Sequence, residues 1–201
     1  MNSTEFFDRE IMLENEQARL EPLTENHFEL LLPIAMHTEL WEFTGAKVRA
    51  AADFRRYFDT ALAEKKAGSS YPFAIFDKQH NQWAGSTRYG NISFPHKRVE
   101  IGWTWYHPLL QRTGINKACK FLLLSFGFET LGLNRIELKT SALNFKSQGA
   151  MLKIGAIKEG LLRSHMINED GIVRDTVYFS FIAAEWPQLK HSIFKDFTDI
   201  P

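Results

Sequence analysis

The stretch from Arg98 to Asn116 constrains the fold more than any other part of the chain. Arg98–Tyr106 alternates so that Val99, Ile101, Trp103 and Trp105 share one face of an extended strand while Glu100, Gly102, Thr104 and Tyr106 share the other. Pro108 cannot continue a central strand and stops it. A short loop, Gln111-Arg112-Thr113-Gly114, then leads into a strongly apolar helix expected from about Ile115 to Thr130. A strand, a tight turn with glycine and a buried helix form the opening of a βαβ crossover. They call for a partner strand parallel to the first.

That partner is expected over Asn134–Thr140, with Ile136 and Leu138 inward, followed by a helix over Asn144–Ile154 with Gly155 as its C-cap. A hairpin closes the pattern, Gly160–Ile167 and Thr176–Ala184 around Asn168-Glu169-Asp170-Gly171. Upstream, Gln17–Glu21 reads as a first strand. Thr24 is placed to cap a helix carrying Phe28, Leu31 and Leu32, and Pro33 should end or kink it. Phe54, Tyr57, Phe58, Ala61 and Leu62 recur at helical spacing across Asp53–Lys66. Tyr71–Asp77 and Gln82–Tyr89 read as two strands joined by a turn. Consecutive strands followed by a crossover predict an α/β (α+β) domain with a mixed sheet of about six to seven strands and flanking helices.

Composition narrows the partners. Lys plus Arg and Asp plus Glu number 24 each, so no net field draws the chain to nucleic acid or to an anionic membrane. One cysteine, Cys119, excludes an intramolecular disulfide and suits a reducing compartment. The first residues lack the basic start and apolar centre of a signal peptide, and no apolar run approaches a membrane span, which together predict a cytoplasmic protein. We expect a single domain over residues 11–187, with an N-terminal extension over 1–10 and a C-terminal tail over 188–201.

Taken alone, the Gly114 loop supports two readings. It is an ordinary turn, or it is a place where backbone approaches a phosphate and the free N–H groups of a helix start receive it, with Lys117 and Lys120 adding charge at the same end. No His, Cys and Asp set has metal-ligand spacing.

The order of these motifs resembles the GCN5-related N-acetyltransferases. Gln111-x-x-Gly114-x-Asn116 is similar to the Q/R-x-x-G-x-G/A diphosphate loop of that superfamily, departing at Asn116. Glu100-Ile101-Gly102-Trp103 is similar to the strand before it. Asn144-x-x-Ser147 resembles the N-x-x-S signature of the RimJ/RimL group. The resemblance spans roughly residues 11 to 187. It implies acetyl-CoA as cosubstrate, no metal, and direct attack by an amine, either a protein N-terminus or a small molecule. A homodimer is compatible with it. Gln111, Arg112, Thr113, Gly114, Ile115, Asn116 and Lys117 would form the diphosphate loop, Asn144 would contact the pantetheine arm, and Ser147 would hydrogen-bond the leaving sulfur. Backbone N–H groups near Trp105 would polarise the acyl carbonyl.

Several of these positions have a second reading. Asn144 fits a helix N-cap, Ser147 an ordinary helix-surface serine, and Cys119 a core position. Glu100 serves as general base or amine anchor, or is a surface carboxylate or the partner of a nearby arginine. His107 and His165 are proton-shuttle candidates. Many relatives carry Tyr seven residues after the Asn, where this chain has Met151. That leaves open an alternative in which the domain binds acyl-CoA as a weakly catalytic sensor.

Overall fold

The computed structural model describes residues 3–198. In chain order the elements are helix α1 (Ser3–Asp8), strands β1 (Leu13–Glu14) and β2 (Ala18–Pro22), helices α2 (Phe28–Ala35) and α3 (Ala51–Lys66), strands β3 (Tyr71–Asp77), β4 (Gln82–Ser93) and β5 (Arg98–Tyr106), helix α4 (Ile115–Ser125), strand β6 (Arg135–Ser141), helix α5 (Phe145–Lys153), strands β7 (Ile157–Ile167) and β8 (Val173–Ile182), and helix α6 (Trp186–Ser192). The strands form one sheet in the order β1-β2-β3-β4-β5-β6-β8-β7. Among the described residues, only β5 and β6 run parallel; every other neighbouring pair is antiparallel. The sheet has eight strands rather than the six to seven expected. The added one is β1, two residues paired with Leu20 and Arg19, too short to show alternation.

The local chemistry of the helices follows the sequence. Asp53 accepts hydrogen bonds from the backbone N–H groups of Arg49 and Ala50, both at 2.9 Å, and so fixes the start of α3. Its apolar face, Phe54, Phe58 and Ala61, packs with Leu31 and Ile34 of α2 on one side of the sheet. Helix α4 buries Ala118, Leu122 and Leu123 on the other side and ends in a π-helical turn, Phe126–Thr130. Both ends of the described chain contribute to that second core. Phe6 lies against Tyr71 and Phe94, while Phe194 and Phe197 lie against Phe121.

Strand β5 departs from simple alternation. Ser86 pairs with Trp105 but Arg88 pairs with Gly102, so two residues of β5, Trp103 and Thr104, oppose the single residue Thr87. This is a β-bulge, with Trp103 at φ +50° and 38 % exposed. The extra residue inverts the strand beyond it. Val99 and Ile101 face the α4 core as expected, but Trp105 crosses to the α2–α3 core and packs on Trp41 and Phe54, and Tyr106 takes its place beside α4. The expected common face for Val99, Ile101, Trp103 and Trp105 is therefore corrected, because a bulge adds one residue to a period of two.

The second departure is the parting of β5 from β6. They pair at Arg98–Arg135, Val99–Ile136 and Glu100–Glu137 and nowhere further along. From Ile101 onward the two strands diverge and leave an open wedge in the middle of the sheet.

Gly85 holds β4 to the end of β5. It pairs with Tyr106 at φ +149°, and a Cβ there would lie 2.0 Å from the Trp105 carbonyl oxygen. Gly85→Ala is expected to lower the unfolding free energy by about 3 kcal/mol through backbone displacement, measured by urea denaturation. A change within about 0.5 kcal/mol, the range of neutral surface substitutions, would show that β5 does not depend on this approach.

Candidate active site

The wedge is bordered on one side by the loop from β5 to α4. His107 donates its backbone N–H to Ala84 at 2.7 Å, and its Nδ1 accepts from the Leu109 N–H at 3.1 Å, which leaves the ring proton on Nε2. Burial and the neighbouring His37 ring push the His107 pKa down, so it is neutral at pH 7. Beyond the turn, Arg112 (φ +70°) and Gly114 (φ +102°) both adopt left-handed backbone. Among the described residues, the N–H groups from Arg112 to Lys117 meet no hydrogen-bond acceptor. These are the loop amides and the orphan donors of a helix's first turn.

The side chains of the loop brace it. Gln111 Nε2 donates to the Tyr106 carbonyl at 3.3 Å, and Gln111 Oε1 accepts from Lys146 of α5, so this residue bridges the two sides of the wedge. Thr113 Oγ1 donates to Leu110 O at 2.7 Å. Asn116 Oδ1 accepts from the Tyr106 hydroxyl at 3.3 Å. Ile115 is buried and anchors the helix start. Lys117 pairs with Asp196. Lys120 does not join the loop charges as expected from sequence. It is 4 % exposed and donates to Thr104 Oγ1 at 3.1 Å, because position 120 faces the sheet. Cys119 is wholly buried, and burial pushes its thiol up to about 12. That is a core position and leaves essentially no thiolate at neutral pH.

Across the wedge stands α5. Asn144 Oδ1 accepts from the Ser147 backbone N–H at 3.0 Å, so Asn144 is the N-cap. No residue of α5 is fully buried. Ser147 is half-buried, and Met151, also half-buried, packs against the α4 core.

The opposite sheet face carries buried charge. Glu100 is only 3 % exposed. It accepts from Asn91 Nδ2 at 2.6 Å and forms an ion pair with Lys139 Nζ at 3.0 Å. It is therefore not a surface carboxylate; its ion-pair partner is Lys139, and Arg174 is near enough to interact with it electrostatically. Arg98 and Arg135 both pair with Glu137 instead. Arg88, 2 % exposed, pairs with Glu64 at 2.9 Å and stacks on Tyr57. Asn91, Arg98, Glu137, Lys139, His165 and Tyr178 line a cleft on this face. Lys139, Asn91 and Tyr178 were not singled out from sequence. Lys139 carried one signal, its alternation with Ile136 and Leu138, but its partner depends on strand register. Among the described residues, no group of three or more His, Cys, Asp or Glu side chains could hold a metal ion, and no helix is long and apolar enough to cross a membrane.

The model for the acetyltransferase (GNAT) domain matches residues 17–157, which contain the wedge, its loop and α5. The chain belongs to the GNAT acetyltransferase family. A GNAT from Brucella melitensis superposes on it with a TM-score of 0.85 at 28 % identity, covering 93 % of this chain and 85 % of that one. The N-acetyltransferase YoaA of Bacillus subtilis (strain 168), itself uncharacterized, is 26 % identical over 85 % of this chain and 96 % of its own length. The structure of RimL, a ribosomal L7/L12 α-N-protein acetyltransferase, shares the fold with a TM-score of 0.75 at 18 % identity, covering 86 % of this chain and 94 % of its own.

The Glu100–Lys139 pair in this GNAT domain is expected to be structural as well as local to the cleft. Glu100→Gln should lower the unfolding free energy by about 3 kcal/mol, since it strands a mostly buried ammonium. Adding Lys139→Met should restore part of that loss in a double-mutant cycle followed by urea denaturation. Strict additivity of the two changes would refute the coupling.

Proposed function

We propose that the protein transfers an acetyl group from acetyl-CoA to a primary amine by direct attack, with both substrates bound at once. The observation that carries this reading is the wedge itself, with unpartnered amides at one mouth and a charged cleft on the opposite sheet face. Acetyl-CoA supplies an acyl group activated on sulfur.

The residues present fit that ligand. The N–H groups of Arg112, Thr113, Gly114, Ile115, Asn116 and Lys117 would receive the diphosphate, helped by the helix dipole of α4. Positive φ at Arg112 and Gly114 is the kind of backbone that would turn successive amides toward one anion. Asn116 in place of a smaller residue is accommodated, since its side chain turns back to the Tyr106 hydroxyl. Asn144 keeps its Nδ2 donors for the pantetheine arm while its Oδ1 caps α5. Ser147 would place its hydroxyl toward the sulfur, and the backbone at Trp105, just beyond the bulge, would polarise the acyl carbonyl.

On the other face Glu100 would hold the incoming amine or take its proton, directly or through water. An α-amine titrates near pH 8, so an appreciable fraction is already neutral at physiological pH and a weak base suffices. We therefore favour an α-amine, of a peptide N-terminus or a small molecule, over a lysine side chain titrating near about 10.4. Met151 lacks the acid that tyrosine would supply. It favours one second reading, an acyl-CoA-binding sensor, which would bind CoA and acetylate nothing across a panel of N-terminal peptides and small amines.

Gly114→Glu adds a carboxylate where the diphosphate would lie. It is expected to weaken CoA binding by about tenfold or more, equivalent to at least about 1.4 kcal/mol, in calorimetry on protein whose circular dichroism is unchanged. Undiminished CoA affinity in that variant would remove the loop from the site. Ser147→Ala should lower kcat by about tenfold with little change in KM, because charge reaches the sulfur only in the transition state. Full kcat, with chemistry rate-limiting, would discard the role given to Ser147. Turnover by Glu100→Gln should fall and recover toward high pH if proton removal is the lost step.

A further inference from the structure

Trp103 is a tryptophan that the core does not claim. Trp41, Trp105 and Trp186 are buried, and each indole N–H donates to a partner: the Ala35 carbonyl at 2.8 Å, the Tyr57 hydroxyl at 3.3 Å and Glu129 at 2.6 Å. Trp103 is 38 % exposed, and among the described residues its indole N–H has no partner. It stands in the bulge of β5 at φ +50°, a backbone conformation that strains a bulky residue. A bulge re-aims the side chain it carries, and this one lays the indole across β4.

Strand β4 is shaped to receive the ring. A Cβ on Gly90 would lie 2.3 Å from Trp103 Cζ3, so a larger residue there would displace the indole. Two positions earlier, the Arg88 guanidinium lies 5.6 Å from the ring centroid and is itself held by Glu64 and Tyr57. The surface of the indole that remains exposed is the one turned away from β4. Glu100 is its neighbour. Gly90 is the register partner of Glu100, and the Glu100 carboxylate leans along β5 to within 2.8 Å of where a Cβ on Gly102 would be. Trp105, whose backbone would polarise the acyl carbonyl, follows two residues later on the same strand. An exposed aromatic surface therefore lies beside the places proposed for the amine and for the acyl group.

The surrounding charges decide what such a surface can take. A second cation gains little on a ring that already carries a guanidinium, and Lys139 beside Glu100 repels it. A small polar group gains little from an indole. An aliphatic or aromatic group removes its own surface and that of the ring from water together. We propose that Trp103 sets the specificity for the acceptor, its exposed indole receiving an aliphatic or aromatic group next to the reacting amine. The inference rests on the acetyl-transfer reading and adds to it the class of amine. The competing role for the same contacts is a cover over the Arg88–Glu64 pair.

The acceptors for the test are the tripeptides Leu-Ala-Ala and Phe-Ala-Ala against Gly-Ala-Ala and Lys-Ala-Ala, and phenethylamine against ethanolamine, with acetyl-CoA saturating and thiol release followed. On the wild type, kcat/KM for the apolar acceptors should exceed that for the others by about tenfold or more, mostly through KM. Trp103→Asn removes the indole but keeps a residue that tolerates left-handed backbone. Its ratio of apolar to polar kcat/KM should fall about tenfold, with CoA affinity in calorimetry unchanged and Trp103→Phe in between. An unmoved ratio in folded Trp103→Asn would overturn the proposal, and a simultaneous fall in thermal stability would identify the cover instead. If Trp103→Asn does not fold, Trp103→Phe decides by the smaller fall in the same ratio. A wild type that binds CoA and acetylates none of these amines removes the acetyl-transfer reading and this inference with it, whereas turnover without an apolar preference removes this inference alone.

Discussion

Among the described residues, three backbone pairs, Arg98–Arg135, Val99–Ile136 and Glu100–Glu137, make up the ladder between the two halves of the sheet, and the Asn134 and Arg135 N–H groups extend it to the Lys97 carbonyl. Everything functional depends on their being so few. Parallel strands are usually buried and paired along their length, and full pairing here would leave no opening between the loop amides of α4 and the cleft on the far face. The parting is sustained by the bulge at Trp103, which turns β5 and sends Trp105 into the α2–α3 core. One inserted residue therefore both opens the wedge and secures the strand beside it.

Charge is distributed unevenly around that opening. On the cleft face each buried ion has a partly buried counter-charge: Glu100 has Lys139 and Arg88 has Glu64. Each removes most of the cost of burying the other. On the α4 face the buried ammonium of Lys120 has only a hydroxyl. The paired ions tie β4, β5, β6 and α3 together on the cleft face.

Much of this was legible in the sequence, and what was not has a physical explanation. Strand β5, the Gly114 turn, α4, the capped start of α5 and the Asn168–Gly171 hairpin follow from periodicity and turn chemistry, which are local. The facing of Trp105 was missed because a bulge has no signature in a run of alternating apolar residues. The partner of Glu100 was missed because Asn91 and Lys139 come from strands on opposite sides of β5, and register is set by the whole sheet. Lys120 read as a loop charge because a lysine in a helix's second turn is ordinarily exposed; only the rotation of α4 onto β5 places it inside. Residues 111–114 lie between the end of β5 and the start of α4, as the alternation, Pro108 and Gly114 predict.

The narrow seam between β5 and β6 also shapes how the molecule comes apart. Strands β1–β5 with α1 to α3 form one hydrogen-bonded block, and β6–β8 form another. Cooperative openings follow such blocks. Amide exchange should accordingly divide the chain near residue 107, with β4 and β8 exchanging as members of separate units. Gln111 and Lys146 span the gap with a single side-chain contact. A ligand lying between the blocks would act as a strut, added to the β5–β6 pairs and to the bond from Glu169 N–H to Gly45 O that already join them.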